Sequence, residues 1–282
     1  MDRAGSLSGS GQGTQHDGAG EGYAPDCTAQ SWIDPQSWGM AIGTLQIGLV
    51  QSAADMDAVQ GLRDMRFRGQ KAGGDLDRFD PLCLHLLIRR AEAQQALATA
   101  RLRVLQGSEG LSGSYSAQFY DLAHLAATGL RCMEIGRICI DAAHVHDPDL
   151  LRALLAGLTR LAQEARAEML IGCASFRKAE PERHASALAY LAAHHTGPEH
   201  LRPGRGSGQV MALPAPVSGT STTGLRQVPA LLRLYLGLGG WVSDHAVIDS
   251  ELDTLHVFTA VDVTAIPPAR LRALQLLANP AR

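Results

Sequence analysis

The sequence has little charge to spare. Its 25 Lys and Arg stand against 28 Asp and Glu, a formal net charge of −3, and charged residues make up only 19% of its 282 positions. Without a basic excess there is no electrostatic footprint for duplex nucleic acid, and that class of partner is excluded. Long apolar runs are missing too. No stretch approaches the roughly 18–20 residues that a spanning helix needs, so any membrane contact is expected to be peripheral. The first residues show no basic stretch followed by an apolar core, so no secretory leader is expected. Cysteine is scarce and unpaired: the five, at positions 27, 83, 132, 139 and 173, include no C-x-x-C. An odd count without that spacing fits neither a disulfide framework nor a zinc knuckle, and a reducing cytoplasm is the expected compartment. His144, His146, His194 and His195 lack an acidic partner at H-E-x-x-H spacing, so they read as surface or helix-end residues and no metal is expected. There is no internal repeat.

What is present is a 45% hydrophobic composition, enough to bury a sizeable core. Residues 1–39 are rich in Gly, Ser, Gln and Asp and poor in aliphatics, so they are expected to be a disordered N-terminal extension, with one domain over 40–282. Met40, just before the first convincing strand at 44–50, is a candidate alternative start. From Ser52 the pattern turns helical. Ser52 can cap, Asp55 sits near the positive helix end, and Met56, Val59, Leu62 and Phe67 form a stripe that stops before Gly69. Compact or alternating apolar runs at 84–88 and 97–105 predict an antiparallel pair, followed by a loop over 107–113. Residues 134–140 read as another strand. Leu151, Leu154, Leu155, Leu158, Leu161 and Ala165 recur at helical spacing, and 169–173 reads as a short buried strand. Pro181 and Gly197 bracket a further helix. Residues 198–228, rich in Gly, Pro, Ser and Thr, predict a long loop suited to gating or docking. A helix over 229–238, strands near 246–248 and 255–263, and a closing helix over 268–278 complete a single mixed α/β layer with helices on the faces of the sheet.

Three constellations carry candidate chemistry. Asp75-Leu76-Asp77-Arg78-Phe79-Asp80 gathers carboxylates in a turn, which reads either as a solvated acidic turn or as a site for an amino group held by charge-assisted bonds. Glu134-Ile135-Gly136-Arg137 sets a charged pair inside an apolar strand. Alternation puts Glu134 and Gly136 on one face and Arg137 on the other unless a bulge intervenes, and the pair reads as a general base or as a structural ion pair. Gly136 would let a backbone or substrate approach closely. In Gly172-Cys173-Ala174-Ser175-Phe176, Cys173 is either a small hydrophobe or a nucleophile, and Ser175 is a hydrogen-bond donor.

These segments, with Cys83, His85-Leu86-Leu87-Ile88, Tyr115-Ser116, Phe119-Tyr120-Asp121-Leu122, Pro229-Ala230-Leu231-Leu232-Arg233-Leu234-Tyr235-Leu236 and Gly240-Trp241-Val242, resemble the ornithine-lipid branch of the GNAT acyltransferases. That branch comprises the bacterial L-ornithine N-alpha-acyltransferases, and the resemblance spans about residues 44–265. The arrangement of Arg63, Phe67, Asp77, Asp80, Arg101, Glu134 and Arg137 is also similar to that of acyl-homoserine-lactone synthases. The resemblance implies a GNAT-like α/β (α+β) fold, a mixed, mostly antiparallel central sheet with helices on both faces. It further implies transfer of a (3-hydroxy)acyl chain from acyl carrier protein to the α-amine of L-ornithine, the first step of ornithine-lipid biosynthesis, at the inner face of the cytoplasmic membrane. In that scheme Glu134 is the base and Arg137 orients it. Asp77 and Asp80 read the amines, Arg101 or Arg63 the carboxylate, and Phe67, Cys173 and Ser175 complete the substrate site. Unlike coenzyme A enzymes of this class, the chain has no Gly-rich turn after the Glu134 strand. Residues 141–149 carry Asp141, Asp147, Pro148 and Asp149, which suits a carrier-protein donor and no separate cofactor. Arg152, Arg160, Arg166, Arg177 and Lys178 are the candidate docking residues for the acidic carrier. The alternatives are a lactone synthase and a non-catalytic lipid- or carrier-binding module.

Overall fold

A computed structural model describes residues 32–69, 75–215 and 222–279. The elements run β1 (Gly39–Ile42), β2 (Leu45–Leu49), α1 (Ala53–Arg63), β3 (Leu84–Arg90), β4 (Ala98–Leu105), α2 (Gly107–Ser112), β5 (Tyr120–Asp121), α3 (Ala123–Ala127), β6 (Cys132–Ile140) and α4 (Pro148–Glu164). The second half adds β7 (Met169–Arg177), α5 (Ala185–His194), β8 (Gly204–Arg205), β9 (Gln209–Ala212), α6 (Thr222–Gln227), α7 (Ala230–Gly237), β10 (Trp241–Asp249), β11 (Thr254–Asp262) and α8 (Pro268–Ala278). Nine strands form one sheet in the order β1-β2-β3-β4-β6-β7-β11-β10-β9. Every neighbouring pair is antiparallel except β6 and β7. This is the mixed, mostly antiparallel sheet expected of a GNAT-like fold.

Alternation along the strands builds two faces. Leu86, Ile88, Ala100, Leu102, Met133 and Ile135 pack under Leu150, Leu154, Leu158 and Leu161 of α4. Gly157 makes that contact possible, because a Cβ there would press on Ile47 and Leu86 at 3.0–3.3 Å. The opposite face meets α1 through Val59, Leu62, Leu87 and Cys139. Ser52 caps α1 as expected, its hydroxyl accepting from the Asp55 N–H at 3.1 Å. The helix then widens into a π-helical turn, Asp64–Arg68, and stops at Gly69, whose φ of 59° needs a glycine.

Three expectations need correction. Residues 1–31 of the expected disordered extension lie outside the described residues, but 32–39 are built in: Trp38 is buried in the main core, with Trp32 and Ile33 packed against it, and β1 begins at Gly39. Two tryptophans and an isoleucine in a short stretch outweigh its polar neighbours once a core is available to receive them. The loop expected at 107–113 contains α2, which buries Leu111. The long loop at 198–228 contains β8, β9 and α6; β9 extends the sheet beside β10, while 216–221 lie outside the described residues.

Candidate active site

The site is built where β6 and β7 part. Their parallel pairing runs only from Cys132 opposite Met169 to Glu134 opposite Ile171. Just beyond, a Cβ on Gly172 would collide with the Ile135 carbonyl oxygen, so the last close contact requires glycine at 172. Gly136, expected to permit close approach, faces open space. On its other edge β6 carries a bulge: Arg101 is opposite Gly136 and Thr99 opposite Cys139, so Arg137 and Ile138 share one partner. Arg137 sits at φ 48°, in the left-handed region. This is the bulge that simple alternation left open, and it swings Arg137 onto the face that bears Glu134 and Arg101.

The gap opens into a cleft of about 860 Å³, within the roughly 300–1,000 Å³ common for small-ligand pockets. Its walls come from both faces of the sheet. Glu134, Tyr115, Arg137, Cys173 and His256 line one side, and Leu154, Leu170, Leu231 and Tyr235 the other. The cleft therefore passes through the sheet, polar on the Arg137 side and apolar toward α4 and α7.

Glu134 lines the cleft where the β6–β7 pairing ends. Its Oε1 accepts from the Ser116 N–H at 2.8 Å and the Ser116 hydroxyl at 2.6 Å, and its Oε2 accepts from the Tyr115 N–H at 2.9 Å. One acceptor position on Oε2 is left open by these bonds. Ser116 in turn accepts weakly from the Cys173 thiol, Sγ to Oγ 3.6 Å. Burial pushes that thiol up to about 12 against this hydrogen bond, which favours the reading of Cys173 as a small wall residue over that of a nucleophile. Tyr115 and Ser116 appear in the sequence as a plain motif. Nothing in their spacing ties them to a carboxylate 18 or 19 residues downstream, so their role in holding Glu134 was not legible.

The aspartates of the 75–80 turn do not line the cleft. They form an ion network with arginines from four elements. Arg63 donates to Asp75 at 2.9 Å, to its carbonyl oxygen, and to Asp80 at 2.7 Å. Arg101 reaches Asp77 at 2.6 Å and Asp80 at 3.1 Å, and Arg137 reaches Asp75 at 2.9 Å and Asp77 at 3.0 Å. Arg68 lies 3.4 Å from Asp75. Burial alone would raise the Asp80 carboxyl, but Arg63, Arg101 and the Asp77 N–H outweigh it and hold it down at about 2. With Asp80 1% exposed and Arg63 fully buried, these two are internal partners of each other rather than substrate contacts. Sequence spacing showed that the acidic turn and the arginines were candidates; only folding shows that they neutralise one another. The network's cleft-lining members are Arg101 and Arg137, and Arg137, 11% exposed, lies 5.1 Å over the Tyr115 ring and 5.9 Å from that of Phe67. Arg137 is thereby held against Asp75 and Asp77 rather than against Glu134.

Of the other predicted residues, Phe67, Arg101, Cys173, Ser175, Arg177 and Lys178 line the cleft, whereas Arg152 and Arg160 do not. Arg152 pairs with Asp149 at 3.1 Å. Arg160 stacks on Trp38 and pairs with Glu164, and Arg166 takes a left-handed conformation just past α4. The cleft adds Arg66 and Arg233 to its basic rim, which sequence reasoning did not single out. The α4 N-terminus is already filled: Asp147 accepts from the Asp149 and Leu150 N–H groups, and Pro148 contributes no donor.

A sheet split at one parallel pair, with a carboxylate at the split and a cleft through it, is the frame of a GNAT-type N-acyltransferase, and residues 62–155 match the acetyltransferase (GNAT) domain family. Among curated proteins, the L-ornithine N(alpha)-acyltransferase of Brucella abortus (strain 2308) is 31% identical over 249 residues, 80% of this chain and 86% of its own. That of Agrobacterium fabrum (strain C58 / ATCC 33970) is 30% identical over 251 residues, 80% and 83%. A solved N-acyl amino acid synthase from uncultured soil microbes, FeeM, shares 14% identity at a TM-score of 0.42, covering 83% of this chain and 96% of that one. The chain belongs to the L-ornithine N(alpha)-acyltransferase family.

Proposed function

We propose that the protein transfers an acyl chain, 3-hydroxylated as the family resemblance implies, from acyl carrier protein to the α-amine of L-ornithine, forming lyso-ornithine lipid. The observation that carries this reading is the cleft through the sheet with Glu134 where the β6–β7 pairing ends. Two reactants can meet there from opposite faces. The thioester enters along the apolar side beneath α4 and α7, and the amino acid enters on the side of Tyr115 and Arg137. Arg101 and Arg137 face the acceptor's carboxylate with planar donors. As the amine nitrogen bonds to the thioester carbon, Glu134 Oε2 takes its proton directly or through one water. A backbone N–H in the β6 bulge at Arg137 and Ile138, past the last β6–β7 pair, stabilises the oxyanion. The C–S bond then breaks, and the leaving thiolate of the carrier takes up the proton that Glu134 received, directly or through one water, which restores the carboxylate. A carrier-bound donor suits the α4 N-terminus, whose donors Asp147 already uses, since phosphopantetheine brings no diphosphate to be held there. Arg177, Lys178, Arg66 and Arg233 on the rim suit an acidic carrier, with Lys178 shared with Asp253 at 2.6 Å.

The test is mass spectrometry of lipids from a bacterium lacking ornithine lipids that expresses this chain or its Glu134→Gln form. Glutamine with its oxygen in the place of Oε1 keeps an acceptor for the two Ser116 donors and removes the base. The expected result is N-acyl-ornithine with the unaltered chain and at least a hundredfold less with the variant at equal soluble protein. Equal product from both overturns the base assignment, and no product from either overturns the reaction.

A further inference from the structure

An acceptor such as ornithine brings a second cation, the ammonium at the end of its side chain, and the acidic turn that was expected to read it is spent. Asp75, Asp77 and Asp80 are bound to Arg63, Arg101 and Arg137 and do not line the cleft. Three carboxylates do line it: Glu134, Asp249 and Asp253. Glu134 holds three protein donors where the β6–β7 pairing ends, and Asp253 is paired with Lys178 at 2.6 Å. Neither Glu134 nor Asp249 has a cationic partner among the described residues, but both Glu134 oxygens are already bonded by Tyr115 and Ser116. The Asp249 Oδ1 accepts from the Glu251 and Leu252 N–H groups at 3.0 and 3.1 Å, which closes the β10–β11 turn and leaves Oδ2 for a ligand.

Register places Asp249 on the acceptor side. It is opposite Thr254, which is opposite Arg177, and the next row inward on the same face runs Val247, His256, Ser175. Cys173 follows on that face of β7. The negative charge of Asp249 is felt, as a small contribution beside burial, at the Cys173 thiol, the Tyr115 phenol and the His256 ring. Tyr115 is the ring against which Arg137 lies. The acceptor side of the cleft thus presents a guanidinium at one end and, beyond Glu134, a carboxylate with an unbonded oxygen at the other, the charge order of a dibasic amino acid lying along it by carboxylate and side-chain ammonium.

Resting on the function proposed above, we propose that Asp249 reads the side-chain ammonium of the acceptor, and so selects a dibasic amino acid over one with a neutral side chain. The test compares ornithine with norvaline, the same carbon chain without the terminal amine, for the purified full chain and its Asp249→Asn form, with one acyl donor. Asparagine retains the Oδ1 that closes the turn and loses only the charge. The expected result is an ornithine KM at least tenfold higher in the variant, with norvaline kinetics unchanged within twofold, so that the preference disappears. An Asp249→Ser form that shifts ornithine alone in the same way supports the same assignment. Equal losses for both acceptors mean a structural role and overturn it, as does an ornithine preference that survives. A native enzyme that acylates norvaline and not ornithine overturns the function itself, which is a separate outcome.

Discussion

The Asp80 carboxylate, 1% exposed and held by Arg63 at 2.7 Å and Arg101 at 3.1 Å, has a stability role that can be measured. Removing one partner of a buried pair leaves an uncompensated charge and costs about 3–5 kcal/mol. Asp80→Asn is therefore expected to lower unfolding free energy by that amount in urea denaturation, with activity falling in step with the folded fraction and KM for the amino acid unchanged in what remains folded. A raised KM at unchanged stability would return Asp80 to the substrate. Histidines set the acid limit. Burial lowers His85 to about 4 against its bond to the Asp80 carbonyl, and lowers His256 to about 4 against the Asp249 charge. Both folded values lie below the unfolded value near 6.5, so the stability is fully present above that pH and is lost as pH falls toward 4. Each contributes a loss of about 2 kcal/mol by pH 5. Denaturation midpoints measured at pH 7 and pH 5 check this, and a His256→Asn form should show the shallower decline.

Elements show why some of this was legible in sequence. The cap at Ser52, the stripe of α1 and the long periodic helix α4 depend on neighbours within a few residues, and each lies where the pattern put it. The bulge in β6 does not. It exists because one strand carries an extra residue against its partner, a relation between chains of residues about 40 apart, and it alone decides that Arg137 shares a face with Glu134. The N-terminal segment failed for a similar reason. Its composition is polar, yet Trp38 is 6% exposed with Arg160 stacked 5.6 Å from its ring. A chain begun at Met40 would lose Trp38, and about 3 kcal/mol or more of stability is expected to go with it. Thermal melts of the full chain and of the form begun at Met40 check this; equal midpoints would mean that burial of Trp38 adds nothing to stability.

Across the whole molecule, the cleft divides the labour between faces, apolar toward α4 and α7 and charged toward Arg137, with Arg66, Arg177, Lys178 and Arg233 around it. If those cations receive an acidic carrier, Arg177→Glu together with Lys178→Glu is expected to raise KM for the acyl carrier at least fivefold, most at low ionic strength, while a small soluble thioester is turned over as before. Loss with both donors would instead mean damage to the cleft. Among the described residues no helix is long and apolar enough to cross a membrane, and α7 buries Leu232 and Leu236 while its Leu231 and Tyr235 line the cleft. By itself the sequence determined the mixed α/β layer, the family, and a short set of charged residues that included Glu134, Arg101 and Arg137, because periodicity, capping and motif order are local properties of the chain. Only the tertiary structure decided which of those charges face a ligand. It set Asp75, Asp77 and Asp80 against arginines from four elements, held both Glu134 oxygens by Tyr115 and Ser116, and left Asp249 at the cleft with one carboxylate oxygen unbonded among the described residues, since pairing between distant segments is settled by packing and desolvation and not by spacing along the chain.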